Sequence, residues 1–266
     1  MGRIPLWEAL VQQGYFYDKE EATGWIMAGQ VLVNEARIDK PGALVSSDGI
    51  IRVKGWDRKY VGRGDLKLEG ALTTLNVDVM GAVALDTGAS IGGFTDCLLQ
   101  HGASKVYAID VGYGELAGKL RADPRVVNME RTNISDVDPA TLTPPPWFAT
   151  VGLSYLSLKD AIPIIRELLA PGGEMLCLVK PLFEISDPVI CRTGKITSPE
   201  VYERVLEGVI DFTESIGLNP IGLVNSPIQG SRGTREFFIH IALSKSVAHP
   251  IHGPSAFLRS LRCGSI

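Results

Sequence analysis

The chain has 266 residues, 45% of them hydrophobic, with 7% aromatic and 21% charged residues and a formal net charge of −4. That is enough apolar material for one large domain and a small one, and it excludes collagen-like, disordered and disulfide-scaffold classes. No apolar run reaches the ~20 residues of a membrane span, and Met1 to Glu8 lack the basic-then-apolar pattern of a signal peptide, so a cytoplasmic protein is expected.

A small unit comes first. Leu6, Leu10 and Val11 sit at helical spacing until Gly14 breaks the run. A second helix is expected over 19–27, with Ala22, Trp25 and Ile26 on one face, Asp18 as its cap and Gly29 after its end. Val31-Leu32-Val33 reads as a strand, Asn34-Glu35 as a turn, and Ile50 to Val53 as another strand. The expected boundaries are an α+β module over 1–59, a linker over 60–64, an α/β domain over 65–247 and a peripheral tail over 248–266.

From Asp65 onward, helices and strands alternate. Helix 65–75 precedes the strand Val83 to Asp86, the helix 92–100, the strand Val106 to Asp110, helical residues 116–121 and the strand Val126 to Met129. After Pro144-Pro145-Pro146 come the strand 148–153, helix 158–169, the strand 175–179 ending at Lys180, helix 199–216 and strands at 221–224 and 237–243. Such alternation predicts a mostly parallel sheet covered by helices on both faces.

The strongest local signal is Leu85-Asp86-Thr87-Gly88-Ala89-Ser90-Ile91-Gly92-Gly93-Phe94. A strand enters a glycine-rich turn and then a helix, and glycines let the backbone approach a ligand closely. The spacing is not G-x-G-x-x-G, which argues against a dinucleotide, and no phosphate-loop lysine follows. Asp110 ends the next strand, where a carboxylate can accept both hydroxyls of a ribose. The plainer reading, a tight turn with Asp110 as a helix cap, does not account for the whole strand pattern falling in register. Cys97, Cys177, Cys191 and Cys263 are scattered, so neither a metal site nor a disulfide framework is expected.

The run from Asp86 to Ala103, followed by Val106-Tyr-Ala-Ile-Asp-Val-Gly-Tyr-Gly-Glu-Leu, resembles the hemolysin A/TlyA family. Those proteins are in turn similar to FtsJ-type ribosomal RNA 2′-O-ribose methyltransferases. The resemblance continues through Glu130-Arg-Thr-Asn, Leu178-Val-Lys-Pro-Leu-Phe-Glu and Glu236-Phe-Phe-Ile-His. It implies a Rossmann-like class I methyltransferase domain with a seven-stranded sheet. S-adenosylmethionine would be bound through Asp86, Gly88, Ala89, Ser90, Gly92, Gly93, Phe94, Asp110, Val111, Asn133 and Ser154. It also implies an S4-type RNA-binding module at the N-terminus, carried by Ala28-Gly-Gln-Val-Leu-Val-Asn.

The family uses a Lys-Asp-Lys-Glu tetrad. Position by position, the resemblance places its lysines at Lys67 and Lys180 and its glutamate at Glu236, whereas the aspartate position is Gly152. Asp65, two residues from Lys67, is the expected partial replacement for that carboxylate. Leu182 stands where the family has glutamine, and Ile190 to Ser198 replace a glycine-rich basic loop. Through Tyr60 the N-terminal unit carries eight basic and eight acidic residues, a weak footprint for phosphate-driven RNA affinity. Two readings stand at this point. One is an RNA ribose methyltransferase with a modified tetrad. The other is a cofactor-binding homologue acting on a small molecule, by methylation or by a non-methylating reaction, with RNA binding lost.

Overall fold

The structure, a computed structural model, describes residues 3–12, 15–16, 19–46, 49–55, 64–196, 198–230, 233–244, 254 and 257–258. The chain divides into two compact units, Met1–Arg63 and Gly64–Ile266.

The first unit contains β1 (Arg3–Pro5), α1 (Leu6–Gln12), α2 (Lys19–Met27), β2 (Val31–Val33), β3 (Ala36–Arg37), β4 (Leu44–Ser46) and β5 (Ile51–Val53). β1 pairs with β4, and β2 lies between β3 and β5, all antiparallel. Asn34 and Glu35 both have positive φ, 49° and 65°, the backbone of a two-residue hairpin turn, so the expected turn leads into the unexpected strand β3. Leu6 and Leu10 of α1, Ala22 and Ile26 of α2, and Val31, Ile51 and Val53 close one small core. The expected helix breaker Gly14 and cap Asp18 lie outside the described residues, as do residues 60–63 of the expected linker.

The second unit contains α3 (Gly64–Leu75), β6 (Val83–Thr87), α4 (Gly93–Gln100), β7 (Lys105–Ile109), α5 (Gly118–Arg121), β8 (Val126–Met129) and β9 (Phe148–Val151). It continues through α6 (Leu158–Leu168), β10 (Glu174–Val179), α7 (Pro181–Glu184), α8 (Pro188–Thr193), α9 (Pro199–Ser215), β11 (Asn219–Asn225) and β12 (Phe237–Ala242). The sheet order is β11-β12-β10-β9-β6-β7-β8. Only β12 runs against its neighbours, so the expected mostly parallel seven-stranded sheet is present.

The residue pattern explains the layers. Every residue of β9 and β12 is buried, which is the continuous apolar run of a strand covered on both faces. α6 and α9 present Ile162, Ile165, Leu206 and Val209 to one face of the sheet. Ser157 begins α6 by accepting a hydrogen bond from the Asp160 amide at 3.3 Å. Part of the expected peripheral tail is not peripheral. Phe257 and Leu258 pack against this core, with Phe257 edge-on to Phe237 at 6.1 Å.

The chain runs from β6 to β8 on one side of the sheet and returns through β9 on the other. The crevice between β6 and β9 is therefore a topological switch point, and ligands of open α/β sheets bind beyond the carboxyl ends of the strands there. Phe148, fully buried at the start of β9, packs beside Trp147 at the end of the strand away from that crevice. Phe148→Ala should destabilise the second unit by about 3–5 kcal/mol. Urea unfolding followed by tryptophan fluorescence would show this, and an unchanged midpoint would contradict the packing described.

Candidate active site

β6 delivers Asp86 and Thr87 to the switch point, and the turn begins at Gly88. Gly88 has φ +81°, and a Cβ there would lie 3.1 Å from the Gly152 carbonyl carbon and the Leu153 nitrogen. The turn and the exit of β9 thus touch backbone to backbone, a closeness only glycine permits. The Gly88 and Ala89 amides donate to the Ile109 carbonyl at 2.9 and 3.1 Å, and the Ser90 amide donates to Asp110 Oδ2 at 2.7 Å. The Gly112 amide donates to Asp110 Oδ1 at 2.7 Å. Two backbone donors therefore fix the Asp110 carboxylate at the end of β7.

Asp86 sits beneath this turn. It is fully buried, accepting hydrogen bonds from Thr95 Oγ1 at 2.7 Å and Thr150 Oγ1 at 2.9 Å. Desolvation pushes its pKa up to about 6, against the lowering effect of both threonine hydroxyls. Asp86 thus ties β6 to α4 and β9. It does not line the cavity above, nor does Gly92, whose missing Cβ makes room for Leu116 and Leu120.

That cavity, about 230 Å³, is walled by Gly88, Ala89, Ser90, Gly93, Phe94 and Ser154 from the expected cofactor set, and by Lys67, Gly152 and Lys180. Val111 is exposed and lies outside its wall. Asn133 is also exposed and accepts a bond from the Ser135 amide at 3.2 Å, capping a short helical turn over 134–136.

A second cavity, about 350 Å³, is lined by Lys67, Ser154, Lys180, Leu182, Phe183, Thr234 and Glu236, among others. The two cavities share Lys67, Ser154 and Lys180. Lys67 Nζ donates to Glu236 Oε2 at 2.7 Å, with side-chain exposures of 15% and 9%. Removing either partner of so buried a pair strands a charge, at about 3–5 kcal/mol. Lys180 Nζ donates to the Gly152 carbonyl at 2.7 Å and to Ser154 Oγ at 2.6 Å. Burial lowers the Lys180 pKa to about 8. Glu236 opposes that shift and the charge of Lys67 adds to it.

The three expected tetrad side chains therefore meet. Asp65 does not join them. It is fully buried on α3 and lines neither cavity, and its Oδ1 lies 2.9 Å from where a Gly93 Cβ would stand. The reason is helical: residues two apart point to nearly opposite sides, so Lys67 faces the cavities while Asp65 faces the first turn of α4. A carboxylate beside a helix N-terminus is well placed electrostatically.

Two supporting contacts were not visible in the sequence. Ser154 bonds the base candidate directly, although its motif pointed only to the cofactor. Gly230 closes against Glu236, and a Cβ at 230 would come within 2.0 Å of Glu236 Oε1. Nothing in the sequence marks Gly230, because the contact is made by chain folding back before β12.

A family model of the FtsJ-like methyltransferase matches residues 60–243. The chain belongs to this family. Its cofactor is S-adenosylmethionine, and the domain is that of an S-adenosylmethionine-dependent methyltransferase. YqxC of Bacillus subtilis, which carries an rRNA methyltransferase name, is 46% identical over 87% of this chain and 83% of its own length. The 16S/23S rRNA (cytidine-2′-O)-methyltransferase TlyA of Mycobacterium tuberculosis is 35% identical over 86% of each. A solved structure from Streptococcus thermophilus, named as a hemolysin, covers all of this chain and 96% of its own at 36% identity, with a TM-score of 0.79.

The FtsJ-like site makes a direct prediction. Gly230→Ala should push the Glu236 carboxylate off Lys67 and lower methyl transfer by tenfold or more, with the fold intact by circular dichroism. Undiminished transfer would show that the Lys67–Glu236 contact is dispensable.

Proposed function

We propose that this protein transfers the methyl group of S-adenosylmethionine to a ribose 2′-hydroxyl of ribosomal RNA. The observation that carries the reading is the meeting of two cavities at Lys67, Ser154 and Lys180, with the glycine turn on one side and Glu236 and Phe183 on the other. The similarity to relatives named for rRNA also extends beyond the methyltransferase unit. The 233 residues matched in YqxC exceed the 203 residues from 64 to 266.

In this reading Gly88, Ala89, Ser90, Gly93 and Phe94 hold the cofactor against the sheet, and Asp110 accepts its ribose hydroxyls. The glycine-lined cavity beside a carboxylate already fixed by two amides is the polarity that a nucleoside requires. Bound S-adenosylmethionine supplies an electrophilic methyl group on a positively charged sulfur. Lys180, in its neutral form, takes the proton of the acceptor hydroxyl. Lys67, held by Glu236, stabilises negative charge on that oxygen. Phe183 and Leu182 give the acceptor cavity an apolar wall.

The N-terminal unit is assigned to RNA as an S4-type module. Its eight-to-eight charge balance makes it a positioning element, with a shallow dependence of affinity on salt. No helix among the described residues is long and apolar enough to cross a membrane, in keeping with a proposed cytoplasmic place of work on ribosomal subunits.

The test is transfer of labelled methyl from S-adenosylmethionine to ribosomal subunits, with nuclease mapping of the modified ribose. Lys180→Ala should lose about 10²–10⁴-fold in rate while retaining cofactor binding by calorimetry. Tight cofactor binding by the wild type with no methyl incorporated into any ribosomal RNA would reject this reading.

A further inference from the structure

Three candidates stand outside the roles assigned above. A cavity of about 290 Å³ between α7, α8 and α9 mixes Glu184 and Asp187 with Lys159 and Arg204, and its walls do not select one ligand chemistry. Asp86 is buried but already bonded on both oxygens. The contact between Ser154 and Lys180 leads further.

We infer that Ser154 is the positioning residue that, together with the Gly152 carbonyl, takes over the anchoring work of the absent tetrad carboxylate and keeps the Lys180 amine aimed at the acceptor. This rests on the proposed transfer to a hydroxyl. The contact is set by strand pairing. β9 and β10 run parallel with Phe148 opposite Glu174 and Val151 opposite Cys177. The same 26-residue offset, carried three residues past the last paired positions, puts Ser154 opposite Lys180.

The number of bonds matters as much as their length. A protonated lysine has three N–H donors, and a neutral one has two and a lone pair. The protein offers Lys180 two acceptors, at 2.7 and 2.6 Å. In the neutral amine both N–H bonds would be directed at these acceptors, leaving the lone pair for the acceptor hydroxyl. Both acceptors are uncharged. An aspartate at 152 would add a negative charge favouring the ammonium form, which cannot accept a proton. Gly152 thus favours the base form of Lys180, provided that the amine is still held in place, and Ser154 supplies the holding contact from a side chain that lines both cavities.

The experiment is competitive acetylation of the full-length protein with acetic anhydride across pH 6 to 11. Mass spectrometry would follow the Lys180 peptide in the wild type, Ser154→Ala, Ser154→Thr and Gly152→Asp. The wild-type midpoint is expected near pH 8. Ser154→Ala removes an acceptor of the charged form, so its midpoint should fall by about half a unit or more. Ser154→Thr keeps the hydroxyl and should restore the wild-type midpoint. Gly152→Asp should raise the midpoint by a unit or more. Its Cβ would meet Phe94 Cε2 at 3.2 Å, so only a few tenths of an ångström of adjustment are required.

On RNA, Ser154→Ala should lower kcat about tenfold, and Ser154→Thr should recover it. The inference is overturned if Ser154→Ala leaves the labelling midpoint unchanged, or if Ser154→Thr behaves as Ser154→Ala does. If the midpoints move as expected but no variant methylates RNA, the positioning role stands and the assignment of the acceptor fails.

Discussion

Lys180 Nζ lies 2.7 Å from the Gly152 carbonyl and 2.6 Å from Ser154 Oγ, and both contacts descend from the parallel register of β9 and β10. The same sheet sets the other wall. β6 pairs with β9 so that Thr87 stands opposite Val151, which brings the turn at Gly88 against the peptide after Gly152. One set of backbone ladders therefore places the glycine turn, the strand exit carrying Ser154, and the lysine at a single edge of the sheet. Loops finish the site, but they do not position it. Such a site inherits the rigidity of the strands, which near-attack geometry demands.

The electrostatics divide between two lysines. Lys67 is paired with Glu236 at 2.7 Å and lines both cavities. Lys180 is held by two neutral acceptors, and burial lowers its pKa to about 8 against the pull of Glu236, with the charge of Lys67 adding to the fall. A lysine with a lowered pKa beside one tied to a carboxylate is the pattern that general base catalysis with charge stabilisation requires. A carboxylate at residue 152 would oppose the lowering at Lys180 by stabilising its ammonium form. Its absence leaves the arrangement shifted toward a more acidic Lys180.

Much of this was legible in the sequence. The long apolar runs at Val83, Val106, Phe148, Glu174 and Phe237 gave the sheet, because buried parallel strands need apolar residues on both faces. The short strands β1, β3 and β4 were not legible, since two or three partly exposed residues show no periodicity. α7 and α8 were missed because 4 and 6 residues are too few to show a helical period, although each opens on a proline suited to a first helical turn. In the site, Lys67, Lys180 and Glu236 could be named from motifs. Asp65 was misplaced because closeness in sequence is not closeness on a helix. Ser154 and Gly230 acquire their roles only from register and from chain folding back on itself.

The central claim is that Lys180 acts as a neutral base held by uncharged groups. Its sign in pH is fixed: a base whose pKa is lowered to about 8 is inactive when protonated and active above that value. The direct measurement is the pH dependence of single-turnover methyl transfer to ribosomal subunits, with cofactor saturating. The account predicts a rate that rises tenfold per unit at low pH and levels off through a single midpoint near 8. A rate independent of pH from 6 to 10, or one still rising at the ordinary lysine value of 10.5, would contradict it.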